Sequence, residues 1–216
     1  FGKIFHNPWP DNDSWSQPHR WPRQTRLWSD DSRKRLTNLK KELLAGGLPP
    51  KKVARLRGPA TEMVDLPDED HVDGAIAGQA IDSLHRLAEL DEPFFLAVGF
   101  VRPHLPFVVP RKYWDLYQHR SFSPALNSNV PKNAPPYAMN TMYELRDYMD
   151  FRNTPSPVQG SLTAEQQRRL KHGYYASISF VDSLIGKLLH HLESLHLADR
   201  TIVVLWSDHG WKLGDH

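Results

Sequence analysis

An apolar run at residues 201–206, Thr-Ile-Val-Val-Leu-Trp, constrains the fold most, because its β-branched residues and its length are typical of a buried strand. The pair Asp208 and His209 follows one residue later. In α/β proteins, functional residues commonly lie on loops at the carboxyl ends of buried parallel strands. The sequence therefore predicts a strand at 201–206 with a functional loop behind it.

Two helix-then-strand units are predicted along the chain. Apolar residues recur at helical spacing over 73–90, and the apolar run 94–100 follows. A longer helical pattern over 163–192, which opens with a Thr-x-x-Gln capping box, likewise precedes 201–206. Helices that hand over to buried strands are typical of the α/β class. If the two strands are parallel neighbours, the loops behind them meet at one edge of the sheet.

The other segments are shorter or less regular. We predict a short strand at 2–5, a surface loop over 7–31 and an amphipathic helix over 32–45 that Asp31 caps. Residues 102–161 contain many prolines and are predicted to be irregular. A loop of that length inside a compact protein usually carries function.

Composition excludes several classes of protein. The 216 residues carry 27 basic and 25 acidic side chains, and this balance gives no reason to expect a nucleic-acid or membrane-surface partner. No apolar stretch approaches the roughly 20 residues of a membrane span. The chain has no cysteine, which excludes disulfides and thiolate metal ligands within it.

Three residues are candidates for metal or anion binding. Asp208 offers a carboxylate oxygen and His209 an imidazole nitrogen to one cation; the alternative is a polar turn in which the Asp carboxylate bonds backbone amides. We favour ligation because the pair follows an apolar run. His104 lies between two prolines that would hold its ring for anion recognition, and a purely structural loop residue is an equal alternative.

Three basic residues allow two interpretations each. Lys3 and His6 would face opposite sides of an extended segment, so they converge only if the chain turns at Phe5 or His6, and chance alone would explain the pair. Arg102 could pair with a carboxylate. We favour a surface cation at the end of the predicted strand.

Four segments in order resemble one known family: Gly-Lys-Ile-Phe-His at 2–6, the run 93–107 that contains Arg-Pro-His-Leu-Pro, Tyr-Ala-Ser-Ile-Ser-Phe-Val-Asp at 175–182, and Ser-Asp-His-Gly-Trp at 207–211 with the residues to 216. Together they resemble the iduronate-2-sulfatase branch of the type I, formylglycine-dependent sulfatases. The resemblance spans nearly the whole chain and is weakest over 7–52 and 121–160. Residues 57–59 and 64–67 also resemble the family.

The resemblance implies roles for five residues. Asp208 and His209 would form half of a calcium site, which two acidic residues from elsewhere complete. Lys3 and His6 would contact the sulfate and the catalytic aldehyde hydrate. His104 would bind the sulfate group and act as a proton donor toward the leaving oxygen. Lys3, His6 and His104 are thus expected to be catalytic and substrate-binding, and Asp208 and His209 to be metal ligands.

The resemblance also implies the architecture and the setting. Residues 1–216 would be an internal part of one catalytic domain of alkaline-phosphatase-like α/β fold, with a central mixed sheet between helices and an irregular region at 102–161. The formylglycine, produced by a formylglycine-generating enzyme, would precede Phe1, and a second lysine would follow His216. We therefore expect the 216 residues alone to be inactive. The implied substrate is a sulfated carbohydrate such as a glycosaminoglycan, in a periplasmic, extracellular or lysosomal protein.

Two other functions stay open. A phosphomonoesterase or phosphodiesterase of the alkaline phosphatase superfamily would use Ser or Thr and two transition metals, and an Asp-His pair suits zinc as well as calcium. A noncatalytic binder of sulfated glycans would keep the anion pocket without a nucleophile. We rank the sulfatase first because every site position within the chain is intact.

Overall fold

The computed structural model describes residues 1–6, 11–23, 27–127, 129, 131–138, 141–157 and 159–214. Its helices are α1 (Asp30–Ala45), α2 (Pro50–Arg55), α3 (Val72–Ala88), α4 (Arg111–Asp115) and α5 (Ala164–Ser194), and its strands are β1 (Thr61–Val64) and β2 (Phe107–Pro110). Short 3-10 turns lie at Asn12–Ser14, Asp68–Asp70, Pro136–Ala138, Leu145–Asp147 and Ala198–Arg200. This mixture of helices and parallel strands fits the predicted α/β class.

The two strands form a parallel pair in which Thr61 lies opposite Phe107 and Val64 opposite Pro110. A parallel pair needs a long connection, and α3 lies within the segment that joins the strands. Strand β2 is buried along its whole length. The sheet therefore forms the centre of the described structure, although it is small.

Helix α5 packs against α3 and β2. It begins at the predicted capping box, where Thr163 and Gln166 exchange side-chain-to-backbone hydrogen bonds. The close approach of α5 to the sheet requires a glycine, because a Cβ atom at Gly173 would lie 2.8 Å from the Cβ of Phe107. The predicted long, core-facing helix is thus confirmed, with bounds shifted by one or two residues.

Three apolar clusters stabilise the structure. The largest surrounds Phe107, Tyr148 and Phe151, the second surrounds Tyr113 and Phe180, and a small third joins the ends of α3 and α5. Burial of such side chains contributes about 2 to 3 kcal/mol each. No helix in the described ranges is both long and apolar enough to span a bilayer.

The predicted strands at 2–5, 94–100 and 201–206 are wrong. Residues 2–5 and 94–100 share one bridge, between Gly2 and Gly99, and 201–206 pair with nothing in the described part of the chain. Five successive apolar residues of that run, from Ile202 to Trp206, are more than half exposed. A strand requires a neighbour for its backbone groups, and β-propensity does not supply one.

The strands that do form were not predicted. Strand β2 lies inside the region 102–161 that we predicted to be irregular, as does α4. Both strands are only four residues long, and β2 ends in a proline, so periodicity cannot distinguish them from loops. Leu145, Tyr148 and Phe151 of the same region are buried, and part of this region therefore belongs to the core.

Two helix boundaries also differ from the prediction. Helix α1 begins at Asp30, and its cap is Ser29, whose hydroxyl accepts the Ser32 amide, instead of Asp31. Asp31 lies within the first turn, where a carboxylate interacts favourably with the helix dipole. Helix α3 begins at Val72 and ends at Ala88, two residues before the predicted end.

Arg102 is buried and pairs with Asp73, so the favoured interpretation of a surface cation is wrong. Their side chains are 3% and 1% exposed, and Nη1 of Arg102 lies 3.6 Å from Oδ2 of Asp73. Asp73 belongs to the first turn of α3, whose burial brings it to residue 102. A buried guanidinium needs such a carboxylate, because an unpaired charge in the interior costs several kcal/mol.

His71, directly before α3, is buried beside this pair. Its ring meets the face of Phe180 edge-on, and within the described residues neither ring nitrogen has a hydrogen-bond partner. Burial and the positive charge of Arg102 lower the pKa of His71 to about 4, against the opposing charge of Asp68. The folded protein therefore holds His71 neutral.

We predict that His71 makes the protein less stable in acid. Its pKa in the folded state lies below the unfolded value near 6.5, so the unfolded state binds more protons and stability falls as the pH falls from about 6.5 to about 4. Between pH 7 and pH 4.5 the loss from this residue is about 2 kcal/mol. Urea unfolding of the full-length protein and of a His71→Gln variant at both pH values measures it. An equal pH dependence in both proteins would refute the prediction, and His119→Gln, at an exposed position, is the control.

Candidate active site

His104 lies in a tightly held loop between two cis peptide bonds, Arg102–Pro103 and Leu105–Pro106. Its backbone amide donates to the Val101 carbonyl at 2.9 Å, and its ring Nδ1 lies 2.8 Å from the Leu105 carbonyl oxygen. A carbonyl can only accept, so the proton is on Nδ1. About a third of the side chain is exposed, and Nε2 is the ring nitrogen left for another group.

The buried Asp73 also holds this loop through the backbone. Its Oδ1 accepts the Val101 amide at 2.5 Å, and its Oδ2 accepts the Arg102 amide at 3.3 Å. Charge-assisted hydrogen bonds of this kind are among the stronger ones in proteins. Through the Asp73 carboxylate, helix α3 therefore holds the backbone of the loop that carries His104.

Trp211 joins the two predicted functional loops. Its indole Nε1 donates to the Pro103 carbonyl at 3.0 Å, and its ring lies edge-on to those of His104 and Phe107. Trp211 follows Asp208 by three residues, so the segment behind 201–206 returns to the His104 loop. The two loops therefore lie together at Trp211 through a hydrogen bond and ring packing, whereas the parallel neighbouring strands on which the predicted meeting depended are absent from the described residues.

Asp208 and His209 are both exposed, at 74% and 61% of their side chains. The Asp208 carboxylate accepts the His209 amide at 3.1 Å, and Oδ2 lies 3.8 Å from Nε2 of His209. Burial raises the pKa of Asp208, but electrostatic interactions with His209 and Lys3, together with hydrogen bonds from backbone amides, hold this pKa below its usual value. The described residues contain no group of three or more His, Asp or Glu that could hold a metal. Asp208 and His209 by themselves therefore offer a metal ion two ligand groups, one carboxylate and one imidazole.

Lys3 lies close enough to Asp208 for its positive charge to lower the pKa of the Asp208 carboxyl group. The chain bends at residues 3–5, and the Lys3 amide donates to the Gly99 carbonyl at 2.8 Å. His6 is exposed, and the part of the chain that the structure describes provides no hydrogen bond or ion pair for it. Lys3 thus interacts electrostatically with Asp208, and the described residues show no contact between Lys3 and His6, whose convergence we made conditional on a turn at Phe5 or His6.

Glu144 lies beside His104 and Arg57 contacts Glu144, and the sequence predicted a site role for neither residue. Oε2 of Glu144 is 3.8 Å from Nε2 of His104, and its Oε1 accepts Nη1 of Arg57 at 3.0 Å. Burial would lower the pKa of Arg57, but its hydrogen bond to Tyr148 and the nearby carboxylates raise it. Glu144 is forty residues from His104 in a proline-rich region, and no local pattern signals the contact.

The chain is similar in sequence to several known proteins. A sequence profile of the family described as Sulfatase matches residues 11–216. Iduronate 2-sulfatase of Homo sapiens is 32% identical over 220 residues, which cover 100% of this chain and 38% of that protein. Choline-sulfatase of Rhizobium meliloti (strain 1021) is 29% identical over 159 residues, which cover 71% of this chain and 29% of that protein.

A third relative has a broader name. The multifunctional alkaline phosphatase superfamily protein PehA of Trinickia caryophylli is 28% identical over 132 residues, which cover 58% of this chain and 25% of that protein. The chain therefore spans less than two fifths of the length of each of these three relatives.

Proposed function

Since the chain belongs to the sulfatase family, we propose that the full-length protein is a hydrolase that removes sulfate from a sulfated carbohydrate. The observation that supports this most is the hydrogen bond from Trp211 to Pro103, which places the loop of Asp208 and His209 against the loop of His104. A carbohydrate is preferred because the relative named for iduronate matches the chain over its full length.

The chemistry of a sulfate ester suits the residues that the chain supplies. Negative charge is spread over the sulfate oxygens during transfer, and fixed positive charges and hydrogen-bond donors stabilise it. Lys3 and His6 would supply such donors, as the family resemblance implies. His104 would present Nε2 to the leaving oxygen, because its Nδ1 is already bonded to the Leu105 carbonyl.

Asp208 and His209 would hold a metal ion. The exposed carboxylate suits calcium, which takes six to eight oxygen ligands, so most ligands would come from elsewhere in the protein. The imidazole suits zinc equally well. When bound, the ion would supply positive charge beside the sulfate. We propose calcium, on the family resemblance.

The wider setting follows from the same resemblance. We propose that residues 1–216 form the interior of one catalytic domain of the alkaline-phosphatase-like fold, with a larger sheet than the two strands described. We also propose that a formylglycine-generating enzyme modifies the nucleophilic residue, which belongs to a part of the full-length protein other than residues 1–216. The protein would be exported to a periplasm, a lysosome or the exterior.

One observation favours a second candidate, hydrolysis of phosphate esters. The relative from Trinickia caryophylli is named as a multifunctional member of the alkaline phosphatase superfamily. Phosphate and sulfate esters share a tetrahedral anion, and a site with positive charge can accept both. The carboxylate and imidazole of Asp208 and His209 would then hold zinc.

The test is a comparison of two esters of the same sugar alcohol with the full-length protein. We expect kcat/KM for the sulfate ester to exceed that for the phosphate ester by about tenfold or more. Removal of metal by a chelator should abolish turnover, and calcium should restore it. Faster turnover of the phosphate ester, restored by zinc, would favour the phosphatase. Binding of the sulfated sugar without turnover would favour the glycan binder.

A further inference from the structure

The carboxylate of Glu144 faces His104 and has no place in the function proposed so far. We propose that Glu144 is a positioning residue for His104, holding a negative charge beside Nε2 when that nitrogen carries the proton for the leaving oxygen. The inference rests on the proposed sulfatase function. It assigns a role to a residue of the irregular region for which the sequence predicted none.

The orientation of the His104 ring is the first step. Its Nδ1 donates to the Leu105 carbonyl at 2.8 Å, which fixes the ring plane and leaves Nε2 for the substrate. When Nε2 also carries a proton, the ring is an imidazolium with a full positive charge. A partly buried cation of this kind gains from a carboxylate nearby, because screening by water is reduced.

The distance between the two side chains is the second step. Oε2 of Glu144 lies 3.8 Å from Nε2 of His104, which is beyond hydrogen-bond range and within the range of an ion pair. The Glu144 carboxylate can therefore stabilise the positive charge of the protonated His104 ring without accepting a hydrogen bond from Nε2. A direct hydrogen bond would instead compete with the leaving oxygen for the same proton.

The fixation of Glu144 is the third step. Its second oxygen accepts Nη1 of Arg57 at 3.0 Å, and the same Nη1 lies 3.2 Å from the Tyr148 hydroxyl. Tyr148 is fully buried, and the Arg57 amide and carbonyl pair with this segment. The carboxylate is thus held between a buried anchor and the catalytic ring, as a positioning group must be.

The chemical step shows when this charge matters. A bond from the nucleophilic hydroxyl oxygen to sulfur forms as the ester S–O bond breaks. The hydroxyl proton passes to water, and the electron pair of the broken bond stays on the leaving oxygen. That oxygen takes the proton from Nε2, and His104 becomes neutral while Nδ1 keeps its proton. A sugar alkoxide needs the proton because it is a poor leaving group, whereas a nitrophenolate leaves without it.

The experiment uses this difference in leaving groups. In the full-length protein, Glu144→Gln is expected to lower kcat for a sugar sulfate by about tenfold or more, and kcat for 4-nitrophenyl sulfate by less than about twofold. Glu144→Asp, which restores a carboxylate, should recover part of the loss. Asp147→Asn is the matched control, because Asp147 lies on the same short turn and pairs with Arg55, 2.9 Å away, instead of His104.

Each other outcome overturns the inference. Equal losses on both esters, or a Glu144→Gln variant as active as the unchanged protein, would show a structural role or none. In a further outcome, His104→Ala lowers kcat for the sugar ester alone while Glu144→Gln leaves kcat unchanged. That result would show that Glu144 does not position His104, and the proposed function would stand. No turnover of either ester by the unchanged protein would instead refute the proposed function itself.

Discussion

Replacing His104 by alanine in the full-length protein is expected to lower kcat for a sugar sulfate by about 10²- to 10⁴-fold, the range that general acid catalysis contributes. The expectation follows from the ring geometry, which commits Nδ1 to the Leu105 carbonyl and leaves Nε2 as the donor. KM should change much less if the ring acts mainly on the leaving oxygen, since binding common to substrate and transition state would be kept. Steady-state kinetics of both proteins measure the two constants separately.

The position of His104 makes this variant informative. The backbone of the loop is held by hydrogen bonds to Asp73 and from Trp211, whereas the imidazole adds a bond to the adjacent Leu105 carbonyl and an edge-on contact with Trp211. Loss of the ring should therefore leave the loop in place, which circular dichroism and the unfolding midpoint can verify. His119→Ala, at an exposed position outside the site, is the control. A loss of less than about threefold in kcat would contradict a role for His104 as proton donor.

The three long helices, α1, α3 and α5, could be predicted because their patterns are local, whereas the short helices α2 and α4 were not predicted. The period of apolar residues and the Thr163–Gln166 capping box placed α5 to within two residues. The strands could not be predicted in the same way. The run 201–206 has the composition of a buried strand yet pairs with none of the described residues, while four residues ending in Pro110 form β2. Pairing depends on a partner that is distant in sequence, and local composition does not encode it.

The candidate site shows the same division. The sequence predicted the loops of His104 and Asp208, because each follows an apolar run. The contacts that join them were not predictable, since Trp211 reaches across 108 residues to Pro103 and Glu144 lies in a region without periodicity. The roles of Lys3, His6, His104, Asp208 and His209 in catalysis and metal binding stay predictions.

Arg102 illustrates how packing reverses a local expectation. A cation at the end of an apolar run is usually exposed, but the burial of α3 brings the Asp73 carboxylate to it. Burial raises the pKa of Asp73 and lowers that of Arg102, and the opposite charge of each partner counters the effect on the other. Each buried charge is therefore stabilised by the opposite charge of its partner.

Asp73→Ala is expected to destabilise the full-length protein by about 3 to 5 kcal/mol, because it leaves the Arg102 guanidinium buried without a counter-charge. It also removes the acceptor of two backbone amides in the loop of His104. Urea unfolding at pH 7 measures the loss, and Asp82→Ala, at an exposed position of the same helix, should stay within about 0.5 kcal/mol of the unchanged protein.

A double variant separates the lost charge from the lost packing. Replacing both partners by apolar residues of similar size, Asp73→Leu with Arg102→Met, removes the uncompensated charge and should cost less than Asp73→Ala alone. The two amides would still lack their acceptor, so recovery should be partial. If the double variant were no more stable than Asp73→Ala, the uncompensated charge of Arg102 would not be the cause of the loss. The cost would then lie in the hydrogen bonds by which Asp73 holds the His104 loop, and α3 would stabilise the site through its backbone contacts alone.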